Sequence, residues 1–138
     1  MNREHEFRGF DGKEWRYGDL EYNRKDDVAR IHTYNDDGSY NKQYLVDPDT
    51  VGQFVGMKDK HGNKVFEGDI VEVYDFTSAY ASKHRGVVKM YRGSWCVEYK
   101  SSIFDTVFRP MLIFDDFADR KTEIIGNIYD NLYLLNEK

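Results

Sequence analysis

The sequence predicts an all-β fold, laid out as a meander of antiparallel strands. Turn dipeptides recur at short intervals, their flanks are rich in aromatic and β-branched residues, and several flanks alternate with period two. Asp-Gly and related pairs supply the positive φ of a tight hairpin.

Asp11-Gly12 separates Glu6–Phe10 from Lys13–Tyr17. Asp37-Gly38 separates Val28–Tyr34 from Tyr40–Val46, and Pro48 marks the turn that follows. Within Val28–Tyr34, Ala29 and Ile31 face one way, Arg30 and His32 the other, so one side is buried and one wet. His61-Gly62-Asn63 separates Gln53–Met57 from Lys64–Phe66. Gly68-Asp69 then opens a strand through Tyr74, with the Asp69 carboxylate placed to accept nearby backbone N–H groups. Phe76 to Arg85 has neither period and predicts a mobile loop. Arg92-Gly93 separates Gly86–Tyr91 from Ser94–Lys100. There Trp95, Val97 and Tyr99 share one face, and Ser94, Cys96 and Glu98 the other. Pro110 predicts a strand break after Phe108. Helix signals are confined to Ile113–Lys121, capped by Asp115 or Asp116, and to a short C-terminal helix over Asn131–Glu137, capped by Asp130 or Asn131.

At 138 residues, 40% hydrophobic and 33% charged, the chain suits one domain over residues 1–138, within which the N-terminal hairpins, about residues 1–50, can form a small β subdomain. An aromatic share of 16% fits pleated, half-buried surfaces. The net charge of -5 argues against a protein that coats nucleic acid or anionic membrane. The single cysteine, Cys96, excludes an intramolecular disulfide. No apolar signal region follows Met1, and no apolar run is long enough to span a bilayer, so the expected location is the cytoplasm.

The block from Gln53 to Val71, with Lys58-Asp59-Lys60-His61-Gly62-Asn63-Lys64 and Glu67-Gly68-Asp69-Ile70-Val71, resembles the signature of the YopX-like family of phage and prophage proteins. Glu6-Phe7-Arg8-Gly9-Phe10-Asp11 is similar to the family's opening block, and Gly126-Asn127-Ile128-Tyr129-Asp130-Asn131 to its closing one. Leu132 stands where the family pattern has Pro. The resemblance implies an all-β fold with a small antiparallel, SH3-like barrel, an origin in a phage or prophage, and action inside the host cell. It brings no established activity and no functional residues. Turn chemistry accounts for the glycines and aspartates of the central block.

Catalytic signatures are not found. Cys96 has no local motif of a reactive thiol and reads as structural or partly exposed. No serine sits in a nucleophile elbow. His5, His32, His61 and His84 lack metal-ligand spacing. Asn35-Asp36-Asp37-Gly38 resembles part of a calcium loop, but no Glu closes it and a hairpin turn is the better reading. Asp115, Asp116 and Asp119 read as a solvated cap. Phosphate-binding glycine motifs are missing, so no cofactor is expected.

Two binding readings remain. Phe76, Tyr80, Phe104, Phe108, Phe114 and Phe117, with unpaired sheet edges, favour a non-enzymatic module that pairs with itself or with another phage or host protein. The alternative is a nucleic-acid-binding surface on the predicted hairpin, using Lys83, Arg85, Lys89, Arg92 and Lys100 with Tyr91, Trp95 and Tyr99 as stacking platforms. It fails if the aromatics point into the core.

Overall fold

The computed structural model describes residues 6–75, 82–100, 106–111 and 122–136. Most of the described residues are in strands, which form two antiparallel sheets. The expectation of an all-β chain therefore holds. Among the described residues, no pairing closes either sheet into a barrel. No described helix is long and apolar enough to cross a membrane. The chain divides into two compact units, Met1–Phe54 and Val55–Lys138.

The N-terminal unit contains β1 (Phe7–Phe10), β2 (Trp15–Asn23), β3 (Val28–Tyr34) and β4 (Tyr40–Val46). The first residues of β5 (Gly52–Lys58) complete it, in the order β4-β3-β2-β1-β5. The β1–β2 hairpin closes on the pair Phe10↔Trp15. Its turn is held by Asp11, whose carboxylate accepts the N–H groups of Lys13 and Glu14, each at 2.8 Å, and Arg16 Nε at 2.8 Å. The bond from Glu14 N–H, then that from Arg16, lowers the Asp11 carboxyl to about 2. Period-two alternation in β3 buries Ala29 and Ile31, which with Val46 form the core of this unit. Phe7, Leu20, Tyr44 and Val51 pack around them. A 3-10 turn at Pro48–Thr50 returns the chain to β1: Asp47 caps it, and Thr50 Oγ1 accepts the Phe10 N–H at 2.9 Å.

The β2–β3 hairpin has no glycine and gave no turn signal in the sequence. Asn23 Oδ1 accepts the N–H groups of Lys25 at 3.1 Å and Asp26 at 3.2 Å, and Asp27 takes the left-handed conformation at φ 52°. Asp and Asn tolerate that region better than other non-glycine residues.

The C-terminal unit begins within β5, whose second half pairs with β6 (Lys64–Phe66). β7 (Asp69–Asp75), β8 (Ser82–Tyr91), β9 (Ser94–Tyr99), β10 (Val107–Pro110) and β11 (Glu123–Asn127) form a sheet ordered β10-β9-β8-β7-β11. Val71, Val73, Val88, Val97, Tyr99, Val107 and Met111 fill its core with Val65, and Trp95 packs against them. Trp95, Val97 and Tyr99 thus share the core side, as alternation predicts.

Two buried aspartates hold this unit's corners. Asp59, 5% exposed, accepts the N–H groups of His61 and Asn63 on Oδ1, at 3.0 and 2.9 Å. Its Oδ2 accepts the N–H of Ile124 on β11 at 3.1 Å. Asp69, 2% exposed, accepts the Phe66 N–H at 2.7 Å, so it fixes the start of β7 as expected. Between β6 and β7, Gly68 sits at φ +91°, donates to the Val88 carbonyl and accepts from Ile128 N–H. A side chain there would meet the Tyr129 ring as well as the strained backbone.

Some expectations are corrected. Ser82–Arg85 is not loop but the first part of β8, paired with β7 from Asp75↔Ser82 onward. Mixed charge and small residues hid the alternation there. Pro110 does not break β10 but ends it, opposite Cys96; β10 is the last strand of the sheet order, where a missing N–H costs no ladder bond. The C-terminal helix is a 3-10 helix, Leu132–Asn136. Residues 76–81 of the predicted loop and residues 113–121 of the predicted helix lie outside the described residues.

Removing the Asp59 carboxylate leaves three backbone N–H groups without their acceptor. Asp59→Ala is expected to lower unfolding free energy by about 3 kcal/mol, read by urea titration. Acid should also weaken the fold. Asp11 is held below its ordinary 3.8. Glu123 is held below its usual value by hydrogen bonds from His61 and Lys60. Folded-state pKa values below the unfolded ones mean that this stability is complete above the ordinary carboxylate range and is lost on acidification, for Asp11 between 3.8 and about 2. The acid limb of a thermal-melt profile is expected to flatten in Asp11→Asn.

Candidate functional site

A cleft of about 660 Å³ opens on the C-terminal unit, within the range of small-molecule sites. Its shape follows from strand pairing. β8 pairs with β9 from Tyr91↔Ser94 to Val87↔Glu98 and no further, while its first residues stay paired with β7. The wedge where β8 leaves β9 is the cleft. Lys83, His84 and Arg85 line one wall, and Glu98, Tyr99 and Lys100 the other. At the apex sits Gly86, where a Cβ would lie 2.5 Å from the Glu98 carbonyl oxygen and 2.6 Å from Val97 Cγ1. Only glycine lets the strands approach this closely before they part.

The walls carry paired charges. Glu72 on β7 holds both Lys83 Nζ, at 3.3 Å, and Arg85 Nε, at 3.0 Å. Arg85 Nη1 also donates to the Leu134 carbonyl at 3.3 Å, tying the 3-10 helix to the sheet. Lys89 pairs with Glu98. Lys100 is exposed and has no ion pair among the described residues. The lining also includes Val87, Leu135 and the His84 ring. The His84 and Tyr99 rings stack at 4.1 Å with 15° between planes. Ser82 Oγ sits 2.8 Å from His84 Nε2 and fixes that ring's edge.

The five basic residues singled out in the sequence are thus drawn partly together. Lys83, Arg85 and Lys89 alternate along one face of β8. Lys100 stands at the far wall, and Arg92 at the hairpin tip, with its guanidinium 5.3 Å from the Tyr91 ring centroid. The proposed stacking platforms divide differently. Trp95 packs against the core and Tyr99 is 5% exposed, whereas Tyr91 is on the charged face. Tyr91 stacks at 3.8 Å and 9° on Phe108, one of the aromatics the sequence offered to an interface. Phe76, Tyr80, Phe104, Phe114 and Phe117 lie outside the described residues, as do Asp115, Asp116 and Asp119.

Tyr91 is opposite Ser94, and Phe108 opposite Glu98, so their rings meet across β9 above Cys96. That cover explains why Cys96 is only 3% exposed although alternation puts it on the outer face. Burial raises its thiol pKa. The described histidines are dispersed. His32 contacts Glu21 and Tyr40, and His61 contacts Glu123. No metal-holding group of three His, Cys, Asp or Glu occurs among the described residues. Asn35–Ser39 is a hairpin turn, closed by the Ser39 N–H and hydroxyl on Asp37.

Fold and motif together define the class: an all-β protein of two compact units, with the Asp59–Asp69 corners in the second. The family model for YopX protein matches residues 6–136, and the chain belongs to the YopX family. The crystal structure of protein yopX from Bacillus subtilis is similar, with a TM-score of 0.56 and 19% identity over 96% of this chain and 97% of that one. Protein EF1440 from Enterococcus faecalis aligns over 95% of this chain and 97% of its own at 18% identity and a TM-score of 0.47. No curated protein matches the sequence.

Thiol reagents are expected to label native Cys96 only as fast as the protein opens, and Phe108→Ala to accelerate labelling severalfold without unfolding the chain. Rapid labelling of the unsubstituted protein would contradict the ring cover.

Proposed function

We propose that this chain is a phage- or prophage-encoded accessory protein of the host cytoplasm that works by binding, not by catalysis, and that it assembles with copies of itself. The observation that carries this reading is β4. It ends its sheet order, and its residues are mostly exposed. Tyr40 is 53% and Leu45 63% exposed, and neighbouring Tyr34 is 49% exposed. A strand edge beside large apolar and aromatic side chains is a template for pairing with another strand. Pairing of β4 with β4 of a second copy would be self-complementary about a two-fold axis. The aromatics are already oriented. Tyr34 donates to Asp19, and Tyr40 contacts His32 and the Tyr34 ring edge-on.

Single-stranded nucleic acid is the second reading, through Lys83, Arg85, Lys89, Arg92 and Lys100. The excess of cations around the cleft favours it. The turning of Trp95 and Tyr99 away from those cations, and the net charge of -5, weigh against it.

Sedimentation equilibrium at micromolar concentration tests the first reading. A dimer or higher assembly is expected, and Leu45→Lys should dissociate it at least tenfold more readily, about 1.4 kcal/mol. A strict monomer sinks the proposal.

A further inference from the structure

We infer that the wedge between β8 and β9 is a binding site for a small organic anion, in which a phosphate-like polyanionic group is joined to a flat, less polar body such as a nucleoside. The inference does not depend on self-assembly.

Lys83, Arg85 and Lys100 line the cleft against Glu72 and Glu98. Glu98 is already held by Lys89 from outside the lining. Glu72 carries two cations at once. Among the described residues, four cations therefore meet two carboxylates there, a local positive excess on a chain whose net charge is -5. A dianion between Lys100 and the Lys83–Arg85 wall would balance that excess. It needs no buried charge to be stripped of its partner, because Lys83 is already exposed and Lys100 has no described ion pair. Thr106 lines the same rim and adds a hydroxyl.

Beside the cations the lining includes Val87, Leu135 and the half-buried His84 ring, which is backed by the buried Tyr99. Val87, Leu135 and the His84 ring offer a less polar surface beside the cations. A volume of about 660 Å³ accommodates a mononucleotide-sized molecule rather than a length of strand. Ligand sites commonly combine an apolar lining with a few oriented polar groups.

Isothermal titration of the full-length protein tests the inference, with adenosine monophosphate, inorganic pyrophosphate and adenosine as separate probes. Saturable binding is expected for adenosine monophosphate, tighter than for either pyrophosphate or adenosine. Lys100→Glu, at an exposed position, should weaken it by about tenfold or more, the equivalent of one charge-assisted hydrogen bond. Lys42→Glu in the N-terminal unit changes net charge identically and should leave affinity unchanged. Equal weakening by both variants would reduce the effect to general electrostatics and overturn the site. So would the absence of saturable binding by any probe at millimolar concentration. A short single-stranded oligonucleotide that binds far more tightly than the mononucleotide would transfer the surface to nucleic acid and overturn it as well.

Discussion

The C-terminal unit depends on one carboxylate, that of Asp59. Its two oxygens accept N–H groups from the β5–β6 turn and from β11, two segments more than sixty residues apart in sequence. A buried carboxylate is tolerable only where its lone pairs are used, and here three donors use them. The same groups become orphans if the turn opens, so the arrangement is strongly all-or-none. Asp69 repeats the device on a shorter loop by binding the Phe66 N–H. Between them the Gly68 backbone bonds to Val88 and to Ile128. The most distinctive stretch of the sequence is therefore a set of backbone clips, and its glycines and aspartates need no ligand to explain them.

Side chains divide the labour on the sheet of this unit. One face is an aliphatic core of valines with Tyr99 and Met111. The other is a lattice of ion pairs around Glu72 and Glu98. Each exposed or half-exposed pair contributes little to stability, about 0–1 kcal/mol. Their effect is to hold long side chains in place around the cleft. The N-terminal unit follows the same alternation with a smaller core, and covers part of it with the Arg16 guanidinium, 3.8 Å from the Tyr44 ring centroid.

Much of this was legible in advance, for local reasons. The hairpins at Asp11-Gly12, Asp37-Gly38, Gly62 and Arg92-Gly93 were readable because turn conformation is decided by a few adjacent residues; all four glycines take positive φ. The β2–β3 hairpin was not, because Asn23 and Asp27 bend the chain without glycine. The start of β8 was hidden because Ser82–Arg85 earns its strand geometry from β7 rather than from its own pattern. Five basic residues could be named from the sequence, but not their partners. Glu72 lies about a dozen residues away on another strand, and only pairing register brings it to Lys83 and Arg85. Phe108 could be named from the sequence as an interface aromatic, but not its place over Cys96, because a ring that covers its neighbour's thiol leaves no periodic trace.

Gly86 has a wider consequence. The wedge exists because a hydrogen atom stands where any other residue would place carbon against the Glu98 carbonyl. The opening is thus drawn by the backbone, and the side chains along it are furnishings rather than walls. Lys83, Lys100 or Thr106 can be exchanged one at a time while the cavity keeps its outline. The surface chemistry of the cleft should then be easy to change, with its geometry altered only when position 86 is.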